Sequence, residues 1–338
     1  MSVQHHFIHT LEQLRQVIPA PPAMLAKRIL PALDAYCQNL ISKSCLVAVG
    51  SFSAAESPAS AVTLIALKQE TLKITSESMI DIVLDNTADF DTHSQARPVS
   101  LYFFMPGIGY GLRVNGILTV IKSGDGYRLN VVVTAAYLQC SRAKVRAGFW
   151  QSHYPQCEVF NDPKAFLASS SYGLMLTQNA EGETELSPRG DPAGFARWLD
   201  NESLVLPERP GNKVAVSLRN ILQDNTIRLL FFIPGSTQIL QVSGLASVSR
   251  DPQLLATMAI NNKSPKLAIV IAGVKASLSV SPALETSQLW NSTSFLNEKS
   301  LPSFAKMMGE HMSGKGIKGK LSSALVDVVV KKDLKNLY

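Results

Sequence analysis

The sequence predicts a mainly β fold with peripheral helices, built as two β-barrels in tandem. Three observations predict it. Short apolar runs follow one another between turn signals, with few long helical patterns among them. A set of landmarks recurs in the same order in the second half of the chain. Finally, 338 residues with 46% apolar and 17% charged side chains suffice for two cores and are too weakly charged for wholesale disorder.

The elements follow in order. His9 to Val17 reads as a short helix capped by Thr10, with Gln13 three residues on. Pro19, Pro21 and Pro22 stop it, and a second helix is expected from Met24 to Ile41, with Leu25, Ile29, Leu33, Tyr36 and Leu40 at helical spacing. Cys45 to Val49 is a buried strand. Ala61 to Leu67 and Leu72 to Thr75 are further strands, separated by a hairpin-like turn at residues 68–71. Val99 to Met105 and Gly111 to Val120 pair across Pro106-Gly107, and Tyr127 to Ala135 adds one more strand.

Then the pattern starts again. Phe103-Phe104-Met105-Pro106-Gly107 returns as Phe231-Phe232-Ile233-Pro234-Gly235, an offset of 231 − 103 = 128. Gly116 returns as Gly244 at the same offset, and Trp150 returns as Trp290 at 290 − 150 = 140. Leu40 to Ser44 resembles Phe166 to Ser170. Two copies make a tandem duplication, a fused dimer rather than a solenoid. The expected domains are residues 1–155 and 156–338, with the boundary between His153 and Asp162.

The net charge of +6 is mild, and much of it sits in Lys315, Lys318, Lys320, Lys331, Lys332 and Lys335. Such a basic tail can meet nucleic acid or anionic lipid, but a solvated tail is the expectation here, with neither nucleic acid nor membrane as partner. Cys37, Cys45, Cys140 and Cys157 lack metal-ligand spacing, and His5, His6 and His9 have no obvious carboxylate partner, so no metal site is expected. No signal-peptide core and no membrane-length apolar run is visible, which predicts a cytoplasmic location.

The chemistry concentrates between Ser187 and Leu222. Ser187-Pro188-Arg189-Gly190-Asp191 and Arg209-Pro210-Gly211-Asn212-Lys213 each follow an apolar run, which places cations near one sheet edge. Guanidinium groups bind phosphate through paired bonds, and neighbouring glycines let backbone N–H groups approach an anion. Each turn also reads as a hairpin corner with solvated arginines. Taken together, SPRGDPAGF, RPGNK, SLRNIL and FFIPG resemble the FMN-binding split-barrel proteins related to pyridoxamine 5′-phosphate oxidase, in that family's order.

The resemblance implies two FMN-binding split β-barrels forming an intrachain pseudo-dimer. It implies that Arg189, with Ser187 and Gly190 beside it, and the turn bearing Arg209, Asn212 and Lys213 bind the flavin phosphate, with Asp191 orienting Arg189. Ser217 and Asn220 either cap the site or pair locally. The first copy lacks this cradle: Ala61 to Ile65 stands near the first motif and Ser76 to Ile80 near the second, with Glu77 repelling phosphate. The first copy instead keeps Gln139-Cys140-Ser141-Arg142-Ala143-Lys144-Val145-Arg146, which resembles the family's later HCxKAxxR motif apart from Gln139 and Arg142. The second copy has lost it at Val280 to Thr286. One composite FMN site and one dead site are therefore expected. Arg142, Lys144 and Arg146 would lie near the flavin or form a solvated basic helix face. Trp150 would pack on the ring or serve structure, as Trp290 suggests.

The function implied is that of an FMN-dependent oxidoreductase. It would act on a small-molecule substrate with a reduced nicotinamide or another electron donor, as a monomeric pseudo-dimer or a homodimer. The alternative is a non-catalytic flavin-binding or interaction protein. A haem-handling barrel would need an axial histidine, and His93 and His153 both lie in expected loops.

Overall fold

The computed structural model describes residues 6–52, 62–68, 70–84, 90, 95–151 and 159–338. His5, Ala61, His93, His153 and Cys157, with most of the expected domain boundary, lie outside the described residues.

In chain order, β1 (Phe7–Ile8) and α1 (Leu11–Val17) come first. A 3-10 turn at Ala23–Arg28 and α2 (Ala35–Ser42) precede seven strands. These are β2 (Leu46–Gly50), β3 (Val62–Ala66), β4 (Leu72–Ser76), β5 (Met79–Leu84), β6 (Arg97–Phe104), β7 (Gly111–Ser123) and β8 (Gly126–Gln139). Then come α3 (Arg142–Arg146), α4 (Pro163–Ser169), β9 (Tyr172–Gln178), β10 (Thr184–Gly190), β11 (Arg197–Trp198) and β12 (Leu204–Glu208). The chain continues through α5 (Val216–Ile221), β13 (Thr226–Phe232), β14 (Gln238–Ser249), α6 (Pro252–Ala256) and β15 (Leu267–Val280). It ends in α7 (Pro282–Ser287), α8 (Phe304–Ser313) and α9 (Ile317–Lys335).

The helical starts follow their caps. Thr10 and Gln13 form the expected reciprocal capping box on α1. The expected helix from Met24 to Ile41 is broken instead. Pro31 cannot donate a helical hydrogen bond, and Leu30 exchanges both backbone bonds with Ala136 of β8, so the helix restarts only where Asp34 caps α2.

The duplication is written in the ladders. One sheet runs β3-β2-β6-β7-β8-β5-β4 and the other β10-β9-β13-β14-β15-β12-β11, the same order strand for strand, with β1 added to β14. The Ser44 hydroxyl donates to the Leu40 carbonyl at 2.8 Å, and Ser170 does the same to Phe166 at 2.8 Å. Gly116 and Gly244 repeat one close approach: a Cβ on Gly116 would strike the Val132 carbonyl, and on Gly244 the Ala272 carbonyl. These are two tandem split barrels with peripheral helices.

Register corrects two of the expected correspondences. Phe103 faces Val47 as Phe231 faces Gly173, so Thr63, Ile65 and Ala66 stand where the second copy has Ser187, Arg189 and Gly190. The equivalent of the SPRG run is thus shifted by two residues, although it still contains neither arginine nor glycine. Ile80 pairs with Val131 as Leu204 pairs with Ile271, so Leu84 is the counterpart of Glu208. The counterpart of the RPGN turn falls within residues 85–89, outside the described residues. Glu77 belongs to the β4–β5 turn, where its carbonyl accepts from the Leu33 N–H at 2.7 Å. It is no relic of a phosphate cradle.

The chain divides into two compact units. One comprises Met1–Pro22, Arg142–Ser279 and Leu334–Tyr338; the other comprises Ala23–Ser141 and Val280–Asp333. Each has its own core, one centred on Phe166, Phe231 and Leu240, the other on Leu40, Phe103 and Leu112. The helix that follows the first copy's last strand, α3, belongs to the unit of the second copy's sheet. Its counterpart α7 packs on β3 and β2 of the first. This exchange decides which side chains can meet.

Candidate functional site

Because α3 lies in the second copy's unit, its cations meet the arginines of β10 and of the segment after β12. Gly190 makes this possible. A Cβ there would overlap the Ala143 carbonyl, so the glycine admits the helix backbone rather than an anion. Ala147 extends the seam by accepting from the Ser171 hydroxyl at 3.0 Å. Around this junction Ala143, Arg146, Pro188, Arg189, Gly190, Asp191, Phe195, Pro207 and Arg209 line a cavity of about 40 Å³. That is room for only a few water molecules.

The guanidinium groups are already engaged. Arg209 Nε sits 2.6 Å from Asp191 Oδ2, in a pair whose side chains are 8% and 0% exposed, and Arg209 Nη2 donates to the Met258 carbonyl at 3.0 Å. Asp191 therefore orients Arg209, where the sequence pointed to Arg189. Arg189 instead lies 3.3 Å from Glu208 Oε2, too poorly aligned for a hydrogen bond, and its Nη2 approaches the Met175 sulfur at 3.7 Å. Arg189 Nε and Glu208 Oε2 are left buried without hydrogen-bond partners, as is the Ser217 hydroxyl. Buried orphans of this kind mark a missing partner.

Arg142 and Arg146 both reach the Pro210 carbonyl, at 3.2 and 2.7 Å, and so tie α3 to the RPGN turn. They are clamps on backbone oxygen, not a solvated face. Lys144 departs from its expected place: it is 2% exposed, with its ammonium 5.7 Å and 5.1 Å from the Phe149 and Trp150 ring centres. Its counterpart Leu284 on α7 is equally buried, so this position serves the core first. Trp150 stacks edge-on against Phe149 at 4.7 Å. Ser187 is buried in β10, opposite Met175.

Asn212 and Lys213 point away from the cluster's interior. Asn212 accepts from the Val214 N–H in a local turn, and Lys213 is exposed in a left-handed conformation. The turn is held from α1: Arg15 donates to the Lys213 and Val214 carbonyls at 2.9 and 3.3 Å. Asn220 donates to the Thr177 hydroxyl at 3.1 Å.

The chain's last residues complete the cluster. Arg146 Nε and Nη2 donate to the Leu337 carbonyl at 2.9 and 2.6 Å. The Tyr338 ring lies 5.8 Å from the Arg146 guanidinium and 5.3 Å from that of Arg209. Burial, and then the Asp191 carboxylate, push the Tyr338 phenol up to about 12. The sequence analysis gave Leu337 and Tyr338 no place here. Nothing marked Arg15 or Glu208.

Among the described residues, the corresponding place in the other unit carries no such charge. Thr63, Ile65 and Ala66 stand on β3, and α7 presents Thr286 where α3 has Arg146. Among the described residues no cluster of histidine, cysteine or carboxylate could hold a metal ion, and no helix is long and apolar enough to cross a membrane.

A split-barrel domain with a buried arginine–carboxylate cluster at its edge is thus the class of protein defined. Residues 163–285, from the first residue of α4 into α7, match the family model described as Pyridoxamine 5′-phosphate oxidase. The match lies within the second copy of the tandem duplication and spans about a third of the chain. No curated protein matches the chain. Solved structures similar to it include HupZ of Group A Streptococcus, 14% identical over 37% of this chain and 98% of that one, with a TM-score of 0.30. General Stress Protein 26 of Bacillus anthracis is 13% identical over 35% of this chain and 95% of its own, TM-score 0.27. The FAD binding protein of Mycobacterium smegmatis is 14% identical over 36% and 97%, TM-score 0.25.

Proposed function

We propose that the chain is a cytoplasmic FMN-binding flavoprotein of the oxidoreductase type, with one composite site made from α3 of the first copy and the arginine turns of the second. The observation that carries this reading is the gathering of Arg146, Arg189 and Arg209 around one cavity in one compact unit, with Arg142 beside them on the Pro210 carbonyl and Arg189 Nε unpartnered. Four guanidinium groups against Asp191 and Glu208 leave 4 − 2 = 2 positive charges, which match a phosphate dianion. The donor set therefore fits the phosphate end of the flavin. A cavity of about 40 Å³ does not admit the ring system, for which ligand pockets offer roughly 300 Å³ or more. Among the described residues, those lining this cavity account for phosphate binding alone.

In this reading Arg189 and Arg209 hold the phosphate, Arg146 joins them once its carbonyl partner leaves, and Asp191 keeps Arg209 in place. Bound flavin supplies hydride or electron transfer to a small substrate, with a reduced nicotinamide or another donor. The protein's own part is to bind, orient and exclude water. The neutralisation of Arg189 and Arg209 by internal carboxylates favours one alternative, a flavin-binding or interaction protein without turnover. The test is the visible spectrum of the purified protein, with flavin counted after heat release. One FMN per chain, lost in Arg189→Ala, is expected. Two per chain, or a colourless protein that refuses added FMN, overturns the proposal. Oxidation of a reduced nicotinamide by the yellow protein separates enzyme from binder.

A further inference from the structure

The longest helix, α9, is docked with what would ordinarily be its outer face inward. Gly319 and Ser322 are buried, and Val326 is half-buried against the core of their unit. Contact with α8 is close: a Cβ on Gly309 would overlap Ser323, whose hydroxyl donates to the Gly319 carbonyl at 2.7 Å and the Lys306 carbonyl at 3.3 Å. The large aliphatic side chains face the other way. Ile317, Leu321, Leu325, Val328 and Val329 are 87, 66, 63, 66 and 55% exposed. Their spacing of four, four, three and one keeps them on one stripe of the helix. Isolated exposed leucines need no explanation, but a continuous stripe along a 19-residue helix does.

The charge around the stripe says what covers it. Residues 315–335 carry six lysines and two aspartates, a balance of 6 − 2 = +4 out of +6 for the whole chain. All six lysines are exposed on or beside α9, and Lys331 pairs with Asp327 at the surface. A second copy of this face would bring +4 against +4. A nucleic acid would meet the lysines but leave the aliphatic stripe wet. An anionic bilayer surface satisfies both, because the aliphatics enter the acyl boundary while the lysines reach the headgroups. At about 28 Å long the helix would lie in the plane of the interface rather than cross it.

We propose that α9 is a membrane-surface helix that docks this protein on anionic lipid through the Ile317–Val329 stripe and its flanking lysines. The proposal is independent of what the arginine cluster binds. Its test is sedimentation of the full chain with phosphatidylcholine vesicles, with and without about one third phosphatidylserine. Binding only to the anionic vesicles is expected, weakened by salt and reduced roughly tenfold or more by Leu321→Glu or Leu325→Glu. Both side chains are exposed, so the variants should keep the thermal transition of the parent, which a denaturation scan checks. No sedimentation with anionic vesicles overturns the proposal. Binding that both variants retain also overturns it, because the stripe would then have no role. A stable dimer that Leu325→Glu dissociates, without lipid binding, would assign the stripe to a second copy instead.

Discussion

Removing the last three residues, so that the chain stops at Lys335, should tighten FMN binding by about 5- to 30-fold. The seated tail gains two arginine–ring contacts, worth about 2 kcal/mol together at part-buried sites. The Arg146 bonds to the Leu337 carbonyl add about 1 kcal/mol after exchange with water. Half-burial of the Leu337 and Tyr338 side chains adds about 2–3 kcal/mol. Ordering three residues opposes this with about 4 kcal/mol. The seated form is left favoured by about 1–2 kcal/mol, and a ligand that needs Arg146 and Arg209 binds more weakly by that factor. Quenching of flavin fluorescence on titration measures it in the full and shortened chains. The phenol gives an independent handle. Its proton is held to about 12 when seated and to about 10 when free, so the seat is intact below pH 10 and is lost as pH rises through 12. Equal affinity in the two chains refutes competition between tail and ligand. Weaker binding by the shortened chain refutes it more strongly, since Tyr338 would then belong to the ligand's own site.

Two further outcomes follow from burial. Arg209→Ala leaves the fully buried Asp191 carboxylate unpaired, which should destabilise its unit by about 3–5 kcal/mol. A thermal melt should register this as a drop on the order of 10 °C even without ligand, and Asp191→Asn in the same chain should recover part of it. Gly116→Ala and Gly244→Ala each drive a Cβ into a backbone carbonyl of the neighbouring strand, so each should cost about 1–3 kcal/mol by denaturant unfolding. Comparable losses at the two sites would show that the copies depend on the same device.

The barrels were legible because each strand's apolar run carried its own signal and every landmark appeared twice. Helical periodicity misled at Met24–Ile41: the spacing of Leu25, Ile29 and Leu33 suits a helix, but the strand-like bridge from Leu30 to Ala136 overrides it, a contact more than a hundred residues away. At the site, residue types were legible and partners were not. Arg189, Arg209, Arg142 and Arg146 do gather, but that Asp191 faces Arg209, Arg189 faces Glu208 and Lys144 turns onto Trp150 depends on strand register and helix phase. Glu77 shows the same limit in reverse. Its alignment with the RPGN turn was plausible by spacing and failed because the β4–β5 hairpin intervenes.

The way the copies diverged follows from the exchange of their helices. Because α3 belongs to the unit of the second sheet, Arg146 is tested by selection against Arg209 and Pro210, not against the strands that precede it in sequence. Thr286, its counterpart on α7, meets β3, where Ile65 and Ala66 offer no charge to answer. On β3 beside it, among the described residues, a cation would find no carboxylate to pair with. The methyl of Ala66 stands where Gly190 admits the Ala143 carbonyl, so the two helices cannot seat on their sheets alike. Loss of arginine, glycine and helix cations on one side, with retention of all three on the other, is then a single event in physical terms. Each residue keeps its role only while its partners across the exchange keep theirs.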